Sequence, residues 1–291
     1  MHYEGYIIRP PSEADSILLQ ATVGCSHNKC TFCAAYKNER FKIKDDAIIN
    51  ADIDFAAQYC KRQTRLFFCD GDALIIPQKR LVPILRTIRE KLPWVQRVST
   101  YANTKGIRMK TAEELAELKQ LGLGLLYMGL ESGDDQTLTE IHKGADAARM
   151  IECGRKAKAA GMKLSITVLL GIAGKDPARS LAHARATGEV LSAIDPDFVG
   201  ALTIMVVPGT PLYETQRQGL WQLPEPLEML AELREMIAHT KLSSGLFYAN
   251  HASNYLPIKA RLPKDQAATL ALIDQALAGQ VRLKPEYMRG L

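Results

Sequence analysis

The sequence predicts an α/β fold, a partial (β/α)6 TIM-like barrel with a helical C-terminal extension. Short β-rich runs alternate with helical patterns along most of the chain, which implies βαβ units and a parallel sheet. The residues with chemical character follow the strands, where α/β folds place their sites. With 291 residues there is room for six such units, whereas a closed eight-stranded barrel needs more chain. A doubly wound sheet fits the same alternation and puts its site at the same strand ends.

The first strand is expected over residues 17–22, with a cysteine-rich loop after it. The second covers 65–69, followed by the turn-like Asp70-Gly71-Asp72 and a helix over 78–92. The third covers 97–101. The helix over 111–121 has Thr111 as N-cap and Glu113 and Glu114 in its first turn. The fourth strand, 125–130, leads into the loop Glu131-Ser132-Gly133-Asp134-Asp135, a short helix and a second helix over 147–160 that stops at Gly161. The fifth, 164–170, is followed by Gly171-Ile172-Ala173-Gly174 and a helix over 177–191. The sixth, 198–207, ends at Pro208-Gly209-Thr210-Pro211. Beyond it the pattern changes. Residues 227–241 and 265–278 read as helices, and the polar, aromatic stretch 247–255 has no clear period and reads as a loop at the barrel mouth. Residues 1–215 are therefore expected to form the barrel with its lead-in. Residues 216–291 form an extension that packs on the barrel and closes the substrate side.

Composition narrows the class. The chain is 47% hydrophobic and 24% charged, as globular proteins are, with a mild net charge of +5. It carries no basic tail and no RNA-binding signature. The longest apolar run, residues 121–130, is too short to span a bilayer, and the first residues lack the pattern of a signal peptide. The expected location is the cytoplasm. In that reducing compartment the six cysteines are not read as a disulfide framework, and clustered ones point to a metal. Cys60, Cys69 and Cys153 are dispersed and read as small buried hydrophobes.

Cys25, Cys30 and Cys33 fall within nine residues, in the run Gly24-Cys-Ser-His-Asn-Lys-Cys-Thr-Phe-Cys33. Three converging thiolates leave one coordination position open. A zinc site completed by His27 or a distant group is the other reading of the triplet, and His27 also reads as a surface residue that shapes the loop.

With Phe32 just before the last cysteine, the triplet resembles the radical S-adenosylmethionine (radical SAM) superfamily. Phe68-Cys-Asp-Gly-Asp-Ala73 stands where that family has a Gly-Gly-Glu-like motif. Met128-Gly-Leu-Glu-Ser-Gly133 followed by Ile141-His-Lys-Gly144, and Val207-Pro-Gly-Thr-Pro-Leu-Tyr213, resemble segments of one branch. That branch contains oxygen-independent coproporphyrinogen oxidases, methylthiotransferases and elongator-type proteins. The resemblance covers roughly residues 15–215. One departure stands out: four residues separate the first two cysteines, where the family usually has three.

The resemblance implies that Cys25, Cys30 and Cys33 bind three irons of a [4Fe–4S] cluster and that the fourth chelates the methionine part of SAM. One electron from the reduced cluster would cleave SAM to methionine and a 5′-deoxyadenosyl radical, which abstracts hydrogen from the substrate. By the same resemblance Gly71 and Asp72 meet the methionine amino group, and Ser99 or Thr100 its carboxylate. Glu131 meets the ribose with Ser132 beside it, and Phe32, the Gly171–Gly174 loop and Val207 flank the adenine. Each position also has a plainer reading. Asp70 and Asp72 suit a turn around Gly71, Glu131 suits a helix N-terminus, and Gly171 and Gly174 suit turns. Lys37, Arg40, Lys42 and Lys44 form a basic stretch that reads as a solvated face, with Arg40 the one placed to reach an anionic group. His251, Asn254 and Tyr255 are the substrate-side candidates, and a structural turn is their other reading.

The function expected is that of a radical SAM enzyme acting on a small molecule or cofactor precursor, with a reducing electron donor such as flavodoxin or ferredoxin. A cluster-bearing binder similar to haem chaperones and a tRNA-modifying radical SAM enzyme are the alternatives. Nucleic acid is the less favoured partner, and no membrane is expected.

Overall fold

The computed structural model describes residues 1–290. The chain divides into two compact units. The first contains residues 1–28, 35–128 and 155–164, and the second contains 29–34, 129–154 and the chain from 165 onward.

The first unit carries β1 (Ile17–Leu19), the short antiparallel pair β2 (Thr22–Val23) and β3 (Lys42–Ile43), α1 (Asp46–Tyr59), β4 (Arg65–Phe68), α2 (Gln78–Lys91), β5 (Arg97–Tyr101), α3 (Thr104–Arg108), α4 (Ala112–Gln120) and most of β6 (Leu123–Glu131). β1 pairs with β4, β4 with β5 and β5 with β6, all parallel, with Ile17 opposite Leu66 and Thr100 opposite Leu126. Alternation sends Leu66, Phe68, Val98, Leu126 and Met128 to one face, and all are buried. Phe67, Tyr101 and Tyr127 share the other face and meet edge to face, with ring centroids 5.2 to 6.0 Å apart. Burial on both faces explains why these strands read as nearly continuous apolar runs. α4 starts where expected, since Thr111 and Glu114 exchange hydrogen bonds with each other's backbone N–H in a capping box.

Alpha helices α5 (Asp135–Glu140) and the start of α6 (Ala147–Ala159) belong to the second unit, as does most of β7 (Lys163–Leu170). There follow α7 (Pro177–Ile194), β8 (Phe198–Thr203), α8 (Pro211–Arg217), α9 (Pro226–His239), β9 (Gly245–Tyr248), β10 (Lys259–Leu262) and α10 (Gln266–Leu277). α7 packs on α9, and α9 on α10. Asp176 caps α7, with Pro177 at the first helical position, and Thr210 with Pro211 does the same for α8.

The sheet order is β1-β4-β5-β6-β7-β8-β9-β10. The six expected strands are all present, and the mostly parallel α/β sheet agrees with a partial TIM-like barrel. Two strands of this sheet were not expected, and neither was the separate pair of β2 and β3. β9 lies parallel to β8 and antiparallel to β10. β9 opens on a glycine, β10 is Lys-Ala-Arg-Leu, and no helix separates the two, so they fall outside the strand–helix alternation. The sixth strand is also shorter than expected and stops at Thr203. Among the described residues no helix is long and apolar enough to cross a membrane.

The lead-in is part of the first unit's interior. Glu13, at the end of the 3-10 turn Pro11–Glu13, is fully buried. Its Oε1 accepts from Tyr127 Oη at 2.7 Å, Arg97 Nη2 at 2.8 Å and Ser99 Oγ at 3.0 Å, and its Oε2 accepts from Ser16. One carboxylate thus satisfies polar groups from two strands and its own turn. Glu13→Ala strands those donors, and we expect it to cost about 3 kcal/mol in urea denaturation. A loss below about 1 kcal/mol would show that the network does not hold the lead-in.

Candidate functional site

Within the first unit, the loop after β1 and the loop after β4 meet backbone to backbone. Gly71 N–H donates to Gly24 O at 3.0 Å. A Cβ on Gly71 would stand 2.7 Å from Cys25 Cα and Cβ and 2.9 Å from Gly24 O. Only glycine fits there, because the atoms in the way are mostly main chain. Asp70, beside it, has φ +69° and spends its carboxylate on Gln20 and on Tyr36 Oη at 3.4 Å. It serves the turn.

Asp72 is different. Its side chain is fully buried, Oδ2 accepts from Ser26 Oγ at 3.0 Å, and Oδ1 has no hydrogen-bond partner. Ser26 in turn accepts from Asn103 Nδ2 at 2.9 Å. Burial pushes the Asp72 carboxyl up to about 7, against the bond from Ser26, the nearby Asn103 backbone amide and the charges of Lys105 and Lys110. A buried acceptor with spare capacity next to the cysteine loop suits an ammonium group. Ser26 and Asn103 carried no expectation. Their only sequence signals are a place next to Cys25 and one just after β5.

Ser99 and Thr100 are engaged inside the protein. The Ser99 hydroxyl is bonded to Glu13 and to Leu66 O, and Thr100 Oγ1 donates to Tyr101 O at 3.0 Å. Both are buried and spend these hydroxyl protons within the protein. Residue type and strand position are the same for a ligand-facing and a core-facing hydroxyl, and the partner, Glu13, is 86 residues away.

Cys30, Phe32 and Cys33 belong to the second unit. Thr31 N–H donates to Ile141 O and Leu212 N–H donates to Thr31 O, each at 3.0 Å, so backbone bonds anchor this half of the cysteine loop. Phe32 packs against a core formed by Leu138, Ile141, Leu169, Ile172, Ile204 and Leu212, alongside Val206. Phe32, the Gly171 loop and the segment leading to Val207 therefore come together here. Val207 itself is half-buried, and its carbonyl accepts from the Thr210 N–H and hydroxyl. Gly171 and Gly174 have φ +81° and +84°, which accounts for glycine at both.

Glu131 also has positive φ, +65°, which is uncommon without glycine. Its Oε1 accepts from Lys143 Nζ at 2.9 Å. A Cβ on Gly129 would lie 2.2 Å from that same oxygen, so Gly129 clears the path of the Glu131 side chain. Lys143 belongs to the run Ile141-His-Lys-Gly144, so that segment supplies the counter-charge to Glu131.

Cys25, Cys30 and Cys33 are each half-buried. Among the described residues no group of three or more His, Cys, Asp or Glu side chains is gathered as a metal-ligand set. The donor types nonetheless fit an iron–sulfur cluster, because soft thiolates are what such clusters take. The substrate-side candidates are mostly occupied. Asn254 is buried, accepts from Thr203 Oγ1 at 2.9 Å and donates to Ala201 O at 2.8 Å. The Tyr255 hydroxyl lies 2.6 Å from Glu286 Oε2, and the Arg289 guanidinium stacks 4.2 Å from its ring centroid. His251 Nδ1 is 2.9 Å from Ser253 Oγ, and burial lowers the imidazole below its ordinary value, with Lys284 adding to the shift.

The Radical SAM superfamily family model matches residues 19–183, more than half of the chain. The chain belongs to the radical SAM superfamily. Members of this superfamily bind a [4Fe–4S] cluster and SAM. The heme chaperone HemW of Bacillus subtilis is 23% identical over 185 residues, which is 62% of this chain and 47% of that protein. The chain thus spans about half the length of that curated relative. Protein MJ0486 of Methanocaldococcus jannaschii is 22% identical over 289 residues, covering 92% of this chain and 78% of that one. The structure of coproporphyrinogen III oxidase HemN from Escherichia coli, a radical SAM enzyme, superposes with a TM-score of 0.53 at 16% identity. It covers 77% of this chain and 51% of its own, and the likeness is one of fold.

Two outcomes follow for the radical SAM site. Gly71→Ala forces the β4 loop off the cysteine loop, so iron retained after anaerobic reconstitution should fall to less than about half the wild-type content. Wild-type content in the variant would mean that the close approach is dispensable. Asp72 sets a pH dependence. Between about 4 and about 7 the folded, ligand-free chain holds a proton that the unfolded chain has released. Stability should therefore fall as pH rises through that window, by up to about 1.4 kcal/mol per unit. Asp72→Asn should flatten this part of the profile when denaturation midpoints at pH 5 and pH 8 are compared with wild type. An unchanged slope would count against the buried carboxyl as its source.

Proposed function

We propose that the chain is a cytoplasmic radical SAM enzyme that generates a 5′-deoxyadenosyl radical and abstracts hydrogen from a small molecule or cofactor precursor. The observation that supports this reading most is the Gly71 backbone seated on Cys25, with the buried, under-bonded Asp72 carboxylate beside it. Cys25, Cys30 and Cys33 would hold the [4Fe–4S] cluster. When bound and reduced, the cluster supplies the electron for reductive cleavage of SAM. The protein supplies binding, orientation and exclusion of water. Gly71 and Asp72 would hold the methionine amino group, an ion pair that returns to Asp72 the solvation lost on burial. Glu131, with Lys143 keeping its carboxylate in place, would accept from the ribose hydroxyls. Phe32, Gly171 and Val207 would form the apolar side of the adenine site. Residues 1–215 would carry these functions, and 216–291 would shape the substrate side, with His251 as the remaining polar candidate there. Flavodoxin or ferredoxin would deliver the electron.

Similarity to HemW over 185 residues supports a second reading, a cluster-bearing haem chaperone. One experiment separates the two. Anaerobically reconstituted protein, with about four irons per chain, is treated with dithionite and SAM. The enzyme reading expects 5′-deoxyadenosine and methionine in equal amounts. A fully loaded cluster that yields neither would overturn it, and haem bound under the same conditions would favour the chaperone.

A further inference from the structure

Two loops of the second unit, Glu131–Ser132 after β6 and Gly171–Gly174 after β7, are linked by a row of buried polar side chains, hydrogen-bonded at each end and in close polar contact between His183 and Glu232. Ser132 Oγ accepts from Asp134 N–H at 2.9 Å, which leaves its own proton for His183 Nδ1 at 2.7 Å. The other ring nitrogen of His183 lies 3.2 Å from Leu169 O and 3.5 Å from Glu232 Oε1. Glu232 Oε1 accepts from Gly171 N–H at 2.7 Å, and its Oε2 accepts from the Ser180 hydroxyl. One turn along α7 from His183, Thr187 Oγ1 accepts from Gly133 N–H at 2.8 Å and donates to His183 O at 2.7 Å. Ser132, His183, Thr187 and Glu232 are all fully buried.

Packing alone does not call for such groups. Apolar side chains would fill the space between α7 and α9 without the desolvation of an imidazole and a carboxylate. What the polar chain adds is direction. Each bond is aimed, and the two ends terminate on backbone: Asp134 N–H at one, Gly171 N–H at the other. Glu131, adjacent to Ser132, sits in the left-handed region at a cost of about 1–2 kcal/mol, a conformation that persists only where its surroundings impose it.

We propose that His183 and Glu232 are positioning residues that fix the Glu131 loop and the Gly171 loop relative to each other, so that both meet SAM in one preset geometry. This rests on the reading of Glu131 as a ribose contact. Neither residue touches the ligand. They act through Ser132 and Gly171.

The test is SAM affinity of cluster-loaded protein, measured by anaerobic calorimetry without reductant, for wild type, Glu131→Ala, His183→Gln and the double variant. Ser132→Ala is a milder probe of the same bond and serves if His183→Gln fails to fold. His183→Gln should weaken binding about tenfold with iron content unchanged, and Glu131→Ala by a similar factor. The double variant should be no more than about twofold weaker than Glu131→Ala alone, because a contact already lost is not lost again. Hydrogen exchange at the Gly133 and Gly171 amides should speed up in His183→Gln. If Glu131→Ala binds more weakly but neither His183→Gln nor Ser132→Ala does, the positioning role is overturned and the ribose contact stands. If the double variant loses the product of the two single effects, the role is also overturned, since His183 then acts independently of Glu131. If Glu131→Ala binds SAM as wild type does, the ribose reading fails and takes this proposal with it.

Discussion

The site in the first unit depends on one close backbone approach, that of Gly71 to Gly24 and Cys25. A loop that carries metal ligands needs a fixed neighbour, and here the neighbour is the main chain that leaves β4. Main chain against main chain leaves no rotamer to adjust, so a side chain at position 71 would have to push the two backbones apart. Asp72 follows from that contact. Being next to Gly71, it is carried into a buried position where one carboxylate oxygen finds Ser26 and the other finds nothing. That burial favours the protonated carboxyl, which is why Asp72 is pushed up to about 7.

The second unit solves its part by other means. Cys30 and Cys33 lie on a segment pinned by backbone bonds at Thr31 and by the packing of Phe32 into an apolar core. Glu131 is held in a left-handed conformation, with room made by Gly129 and a counter-charge from Lys143. Its neighbour Ser132 opens a buried polar chain through α7 and α9. The first unit relies on backbone against backbone, and the second adds directed side-chain bonds to it.

Much of this was legible in the sequence, for physical reasons. Parallel strands buried on both faces announce themselves as apolar runs, and caps such as Thr111 and stops such as Gly161 mark helix ends locally. The cysteine spacing and Gly71 carry their chemistry in residue type alone. What was not legible depends on partners distant in the chain. Ser99 could be placed on a strand, but not turned toward Glu13. Asn254 and Tyr255 looked available because nothing local reveals Thr203, Glu286 or Arg289. His183 and Glu232 sit in helices where a lone polar residue reads as surface, and only the packing of α7 on α9 makes them a pair. β9 and β10 were not expected because β10 follows β9 with no helix between them, outside the strand–helix alternation that marks the other strands.

The central claim is that three cysteines hold a four-iron cluster and leave one iron for SAM. Mössbauer spectroscopy of protein reconstituted with iron-57, recorded with and without SAM, tests it directly. The account predicts that about one quarter of the iron signal shifts on addition of SAM while the rest is unmoved. An iron spectrum that SAM leaves unchanged, from protein with a full cluster, would contradict it.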